Sequence, residues 1–232
     1  MNNKYESFRE IIKNCDYDNT YKMAWGKSLI EMSLKLDLSK DKIIIRLEDI
    51  AEKYIKYYWN QIIFFDLKQA TNSNKIPTII VIIKELIDKC YEHTNEMILK
   101  SEKISRVTFE KLNLLKEYDD TIKSIIKVLK QDVSWRFLLL DGKNTNIYDY
   151  VKGNDYIQIE SKLLKKLKEN NEELLNIINY RWLLILKNIN GYGNINKKVK
   201  LFDDDTINKS LVEVISDIFD IWTIMREKNS LF

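Results

Sequence analysis

The scarcity of glycine and proline constrains the fold of this chain more than any other feature. Its 232 residues include five glycines and a single proline, Pro77. Long, turn-rich β-architectures need more of both residues, because tight turns rely on the backbone angles that they favour. Thirteen tyrosines, eight phenylalanines and five tryptophans supply ample apolar surface for a buried core. The sequence therefore predicts a mainly α, multi-helix globular protein.

The segment LEDIAEKYIKYYWNQIIFFDL has the clearest helical pattern, because its apolar residues recur at helical spacing and form one broad stripe. That stripe consists of Ile50, Ala51, Tyr54, Ile55, Tyr58, Ile62 and Phe65. We interpret its aromatic residues as core packing rather than as a platform for stacking bases. Trp59, Asn60 and Gln61 lie nearer its edge, where we expect specific contacts. Similar patterns predict helices at 4–14, 20–36, 77–98, 107–117, 119–131, 160–169, 172–189 and 207–227.

Residues 135–159 differ from the rest of the chain in composition and in hydrophobic pattern. Two of the five glycines occur here, in the turn sequences DGKN and KGND, between short apolar runs. We predict a small β-meander over this segment. Upstream, IIIR at 43–46 fits either a short strand or an extended lead-in to the next helix. The chain then divides into a helical lobe at 1–132 and a β-meander plus helical lobe at 133–232, or forms one continuous domain.

Tyr21, Trp25 and Gly26 stand out in the second predicted helix. Tyr21 and Trp25 are four residues apart, so they share a helix face. The small Gly26 allows another helix or a ligand to approach closely. We expect an aromatic seam between this helix and the helix at 47–65, with a structural role.

The charge of the chain is balanced overall and uneven locally. A net charge of +3, from 38 basic and 35 acidic residues, does not by itself indicate nucleic acid. Between residues 161 and 200, however, nine basic residues face only three acidic ones. This excess is typical either of a solvated helix face or of a surface that meets phosphates. The candidate nucleic-acid contacts are Lys165, Lys166, Lys168, Lys197, Lys198 and Lys200.

Few residues are available for catalysis or metal binding. His93 is the only histidine, so histidine-dependent triads lack candidates. Cys15 and Cys90 are far apart, and neither belongs to a CxxC pair, so two idle thiols in a reducing compartment and no metal are expected. No phosphate-binding glycine loop occurs, and we expect no cofactor.

One weak catalytic pattern remains after the β-meander. Glu160 and Lys162 form the Glu-x-Lys of metal-dependent nucleases, in which carboxylates hold Mg²⁺ and the lysine stabilises charge. Asp149 or Asp155 would be the upstream acid. In a chain this rich in glutamate and lysine, a solvated helix start is the simpler interpretation.

The chain shows no targeting or membrane signal that we recognise. MNNKYESFRE lacks an apolar signal core, and no apolar run reaches the ~18 residues of a spanning helix. We expect a cytoplasmic protein with no membrane partner. The closing apolar stripe, from Val212 to Trp222, favours a natural end at the last residue.

Three stretches together resemble a known group of proteins: NTYKMAWGKSLIEMSLK, IAEKYIKYYWNQIIFFDLKQ and INYRWLLILKNIN followed by INKKVK. They are similar to the helical region that precedes the zinc-dependent nuclease module of bacterial HNH endonuclease-like proteins, a group associated with phage defence. SWRFLLL, before the β-meander, fits the same pattern. The resemblance covers residues 15 to about 200.

This chain departs from that group at its end. The residues that would bear the Cys-x-x-Cys and the histidine of the HNH module are absent from LFDDDTINKSLVEVISDIFDIWTIMREKNSLF. No catalytic residue is therefore carried over. The resemblance implies a non-catalytic accessory subunit of a prokaryotic anti-phage defence complex, docking on a larger nuclease or ATPase of the SMC or ABC type, and on DNA. The alternatives are a DNA-binding scaffold of an HNH-type endonuclease that lacks its catalytic module, and a Mg²⁺-dependent nuclease using Glu160 and Lys162.

Overall fold

The described part of the chain consists of seven α-helices and two small antiparallel sheets. The structure, a computed structural model, describes residues 3–16, 18–63, 66–71, 76–94 and 116–191. Its helices are α1 (Lys4–Asn14), α2 (Tyr21–Ser33), α3 (Leu47–Ile63), α4 (Thr78–Thr94), α5 (Lys116–Val128), α6 (Ser161–Glu169) and α7 (Asn171–Asn190). Its strands are β1 (Lys42–Arg46), β2 (Leu139–Leu140), β3 (Lys143–Asn144), β4 (Tyr148–Asp149) and β5 (Tyr156–Glu160). The predicted mainly α fold is confirmed.

Helix α2 lies at the centre of the packing. Eleven of its thirteen residues are buried, because apolar residues surround its whole axis rather than one stripe. It contacts α3, α6 and α7. At Gly26, an added Cβ would lie 2.7 Å from Cδ1 of Ile178 in α7 and 3.1 Å from Cγ2 of Ile12 in α1. The glycine therefore sets how closely these helices approach, as the sequence indicated.

The sheet differs from the predicted meander. Strand β5 is central and pairs antiparallel with both β4 and β1, in the order β1-β5-β4. Segment 43–46 is thus a strand, with Ile43 and Ile45 buried and Ile44 exposed. Strands β2 and β3 form a separate two-stranded hairpin. The meander prediction was wrong in its topology, because β1 joins from more than a hundred residues upstream and no local pattern encodes such a pairing.

The predicted break between helices 107–117 and 119–131 is also wrong. Residues Lys116–Val128 form one continuous helix, α5, which runs through the predicted break. The preceding part of the first predicted helix, 107–115, lies outside the described residues. Helix α5 continues into a π-helical turn, Leu129–Val133, and then into a 3₁₀ turn, Arg136–Leu138. The Ser134 amide donates to the Leu129 carbonyl at 2.9 Å, which gives the wider turn.

Buried residues from both halves of the chain belong to one hydrophobic cluster. Phe8, Trp25 and Tyr58 from the first half meet Phe137 and Trp182 from the second. The proposed division at residues 132 and 133 stays a prediction, since much of the second lobe, including the helix predicted at 207–227, lies outside the described residues.

Candidate nucleic-acid interface

Helix α6 presents the lysines that the sequence singled out. Lys165, Lys166 and Lys168 are all exposed, while Leu163, Leu164 and Leu167 face the core. This division follows from the 3.6-residue period of SKLLKKLKE, in which leucines and lysines fall on opposite sides. The Lys166 ammonium pairs with Glu169 at 3.0 Å on the same surface. Lys162, one turn upstream, is exposed as well.

The other three predicted contacts cannot be placed. Lys197, Lys198 and Lys200 lie outside the described residues, which end at Gly191 in this part of the chain. They follow α7 in the sequence, and their role stays a prediction.

The carboxylates of the Glu-x-Lys pattern are held by lysines. Lys4 donates to Glu160 at 2.8 Å, and Lys42 donates to Asp149 at 2.7 Å. The hydrogen bond from Lys42 keeps the pKa of Asp149 below its ordinary value, so this acid stays ionised and paired. Asp155 likewise accepts from Lys130 at 2.7 Å. Across the part of the chain that the structure describes, no cluster of three or more metal-ligating side chains occurs.

Both cysteines are packed thiols. Cys15 and Cys90 are buried and free of disulfides. Burial raises the pKa of Cys90 to about 11 and also raises that of Cys15. Each thiol therefore stays protonated near neutral pH and is a poor nucleophile.

The expected aromatic seam forms at Tyr21 but not at Trp25. The Tyr21 ring meets the edges of Tyr54 and Tyr58 in α3, with centroids 6.2 and 6.1 Å apart. The Trp25 ring packs instead on Phe137 and Tyr148, because one turn along α2 the neighbouring element is the segment after α5. The seam prediction was right for Tyr21 and wrong for Trp25.

A buried polar network joins the same helices. The Tyr21 hydroxyl accepts a hydrogen bond from the Ile79 amide at 2.8 Å, which satisfies a donor at the start of α4. Gln61 accepts from Gln69 at 2.9 Å, and Thr20 donates to Gln69 at 2.8 Å. The specific contact expected of Gln61 is therefore internal.

A basic groove lies beside α5, and it was not predicted from the sequence. This α5 groove has a volume of about 1000 Å³, and four lysines and two aromatic residues line it: Lys123, Lys127, Lys130, Lys152, Trp135 and Tyr150. Lys123, Lys127 and Lys130 are spaced i, i+4 and i+7, which places them on one helix face. That spacing was the available signal, whereas Trp135 and Lys152 join the face only through the fold.

The fold and these surfaces define a mainly α protein with exposed lysine-rich surfaces on α5 and α6. The chain belongs to the family described as Domain of unknown function (DUF8808), whose family model matches residues 1–197. The match includes both α6 and the α5 groove. No curated protein and no solved structure matches the chain.

Proposed function

We propose that this protein is a non-catalytic accessory subunit of a prokaryotic, cytoplasmic anti-phage defence complex, which docks on a larger nuclease or ATPase and contacts DNA through α6. The exposed lysine face of α6 is the observation that supports DNA contact. The defence setting is supported by the resemblance of the helical region to HNH endonuclease-like proteins. Among the described residues, no helix is both long and apolar enough to cross a bilayer.

The length of α6 suits a short contact with duplex DNA. Its nine residues extend over roughly 13 Å, a distance along which duplex DNA carries roughly eight phosphate charges. Lys162, Lys165, Lys166 and Lys168 face these charges, with Glu169 offsetting one of them. About three net phosphate contacts follow, and these give a weak, sequence-independent affinity.

The surroundings of β5 support the non-catalytic part of the proposal. Glu160 and Asp149 pair with Lys4 and Lys42, and among the described residues they belong to no group of three or more side chains that could hold a metal ion. With supercoiled plasmid and Mg²⁺, Mn²⁺ or Zn²⁺, we expect no nicking by the protein. Nicking that Glu160→Ala abolished would instead establish the Glu-x-Lys nuclease.

DNA contact is tested by the salt dependence of duplex binding. Three net contacts predict a slope of log K against log salt near −3, or roughly a 40-fold loss between 50 and 200 mM salt. The variant Lys165→Ala/Lys166→Ala/Lys168→Ala should reduce the slope by about two to three and weaken binding to all sequences alike. A matched control removes exposed lysines elsewhere, as Lys40→Ala/Lys84→Ala/Lys89→Ala, and should leave the slope unchanged.

The outcomes also separate the two parts of the proposal. A wild-type protein that binds no duplex at low salt overturns the DNA contact and leaves docking as the function. Docking on a neighbouring nuclease or ATPase gene product, tested by co-expression, should depend much less on salt than DNA binding does. DNA binding without such a partner would favour the scaffold of an HNH-type endonuclease.

A further inference from the structure

We propose that the α5 groove binds single-stranded nucleic acid, with a base stacked on Trp135 and the phosphates against Lys127 and Lys152. The groove uses none of the α6 lysines, so this inference does not rest on the duplex contact proposed above. Four independent observations support it: the charge of the lining, the exposed tryptophan, the hydrogen bonds that fix the walls, and the open form of the cavity.

The lining of the groove combines mainly apolar surface with an excess of lysines over carboxylates. Four lysines and one carboxylate, Asp155, contribute to it. Lys130 is committed to the fold, since it donates to the Asp155 carboxylate at 2.7 Å and to the Gly153 carbonyl at 2.6 Å. Lys127 and Lys152 are exposed, and neither has a carboxylate partner within the described ranges. Two ammonium groups therefore remain for an anionic ligand.

Lys123 adds a third, weaker cation at the edge of the groove. It pairs with Asp120 at 3.3 Å, but both side chains are about 70% exposed. Water screens such a pair almost completely, so a phosphate can replace the aspartate at little cost. The lysine charges available to a ligand accordingly lie on one face of α5, at Lys123 and Lys127, and in the loop after β4, at Lys152.

Trp135 supplies the stacking surface. Its side chain is 43% exposed, an unusual exposure for so large an apolar ring. The indole N–H donates to the Gln131 carbonyl at 2.7 Å, which fixes the orientation of the ring. The Arg136 guanidinium lies 5.1 Å from the ring centroid and supports it by a cation–π contact. A ring that is already oriented loses little entropy when a base stacks on it.

The walls of the groove are connected by hydrogen bonds before any ligand binds. The Tyr150 hydroxyl donates to the Lys130 carbonyl at 3.1 Å, and the Tyr148 hydroxyl donates to the Ser134 carbonyl. The two carbonyls belong to the π-helical turn Leu129–Val133 and to the residue after it, and this turn connects α5 to Trp135. Such turns occur often at functional sites, because they redirect side chains that a regular helix would align.

A single strand fits this arrangement better than a duplex does. Stacking on Trp135 needs a base with a free face, which a single strand offers without the cost of unpairing. The groove is partly open to solvent, so a strand can reach Trp135 and Lys127 from the surface. Lysines on α5 and in the loop after β4, together with one aromatic ring, match the way in which proteins bind single strands without sequence preference.

The test is fluorescence anisotropy with a labelled oligothymidine of about 12 nucleotides and the full chain. Trp135→Ala should weaken binding roughly five- to 150-fold, whereas Trp135→Phe should retain most of the affinity. Lys127→Ala/Lys152→Ala should reduce the salt slope by about 1.4, since each contact with a single strand contributes about 0.7. The control Lys84→Ala/Lys89→Ala should bind as the wild type does.

Several results would overturn the inference. One is that the oligothymidine does not bind the wild-type protein at low salt. Another is that Trp135→Ala and Lys127→Ala/Lys152→Ala bind it as tightly as the wild type does, while their melting temperatures match that of the wild type. Displacement by free thymidine monophosphate at the same nucleotide concentration would assign the groove to mononucleotides instead. The triple variant of Lys165, Lys166 and Lys168 should keep its affinity for the oligothymidine even if it loses duplex binding, so the two proposals fail separately.

Discussion

The tryptophans of the helical core and the tryptophan of the α5 groove occupy opposite environments. Trp25, Trp59 and Trp182 are at most 1% exposed, and the Trp182 ring lies 5.7 Å from that of Tyr58. Trp135 is 43% exposed and is supported by an arginine rather than by other rings. The core tryptophans lie on buried faces of α2, α3 and α7, whereas Trp135 follows a π-helical turn. Most of the tryptophans in the described residues therefore serve core packing. Whether a tryptophan is available to a ligand depends on its position in the fold, and Trp135 is exposed because it follows the end of a helix.

The largest effect is expected in the core. Trp182→Ala removes a fully buried ring that packs on Tyr57 and Tyr58, so the free energy of unfolding should fall by about 3–5 kcal/mol. Urea denaturation measures this loss. A decrease of less than about 1 kcal/mol would show that the site collapses around the deletion and that the core is not as closely packed as described.

Next in size is a charge pair at the edge of the same core. Glu31 and Lys53 form an ion pair whose side chains are only 16% and 15% exposed. Burial by itself would raise the pKa of Glu31, but the Lys53 and Lys27 ammonium groups outweigh it and lower the pKa below the ordinary value of 4.5. Glu31→Gln leaves Lys53 without its charge partner, and we expect a loss of about 3 kcal/mol near pH 7.

The sign of the pH dependence follows from the lowered pKa of Glu31. As the pH falls, Glu31 takes up its proton at a higher pH in the unfolded chain than in the folded protein. The ion pair therefore stabilises the fold fully above pH 4.5, and this stabilisation disappears as the pH falls through the lower pKa of Glu31 in the folded protein. Urea unfolding from pH 7 to pH 3 should show the difference between wild type and Glu31→Gln shrinking. The exposed control Glu172→Gln should change stability by about 0.5 kcal/mol or less throughout. A difference that grows towards acid pH would contradict the account.

A smaller effect is expected where α2 and α7 touch. Gly26→Ala places a methyl group 2.7 Å from Cδ1 of Ile178, and overpacking of this kind costs about 1–3 kcal/mol. The helix preference for alanine offsets about 1 kcal/mol of that cost. We therefore expect a net loss of about 1 kcal/mol by thermal unfolding. In the background of Ile178→Val, which lacks Cδ1, the same change should become neutral or stabilising.

The smallest effect on stability is expected in the groove. Trp135→Ala should lower the free energy of unfolding by about 1 kcal/mol or less, because 43% of the side chain is already exposed and water can replace its indole N–H at the Gln131 carbonyl. A loss comparable with that of Trp182→Ala would mean that Trp135 is a structural residue, and the contrast between the two regions would disappear.

Among the described residues, the sequence predicted most helices more closely than it predicted the sheet, for a physical reason. Helix α1 begins and ends where the pattern placed it, at 4 and 14, because its signals are local. Strand β1 pairs with β5, as in Ile44 opposite Gln158, and the two segments share no local signal of that pairing. The short segment 43–46 also fits an extended lead-in to the next helix equally well, which left it ambiguous.

The candidate sites show the same division. The exposure of Lys165 and Lys168 could be predicted, because the leucines of α6 fix its inner face. The i, i+4 and i+7 spacing of Lys123, Lys127 and Lys130 could have been noticed too. Lys152 could not have been added to that face, since the hydrogen bond from Lys130 to Gly153 brings the loop to α5 only in the folded protein.

Intrinsic tryptophan fluorescence during titration with oligothymidine tests the contrast between the two regions most directly. Trp25, Trp59 and Trp182 are shielded from the ligand, and Trp135 is the exposed tryptophan of the described residues. The account predicts quenching of the wild-type emission that saturates with binding and is absent in Trp135→Phe, while that variant still binds by anisotropy. Equal quenching in the wild type and in Trp135→Phe would contradict it, because the base would then stack elsewhere.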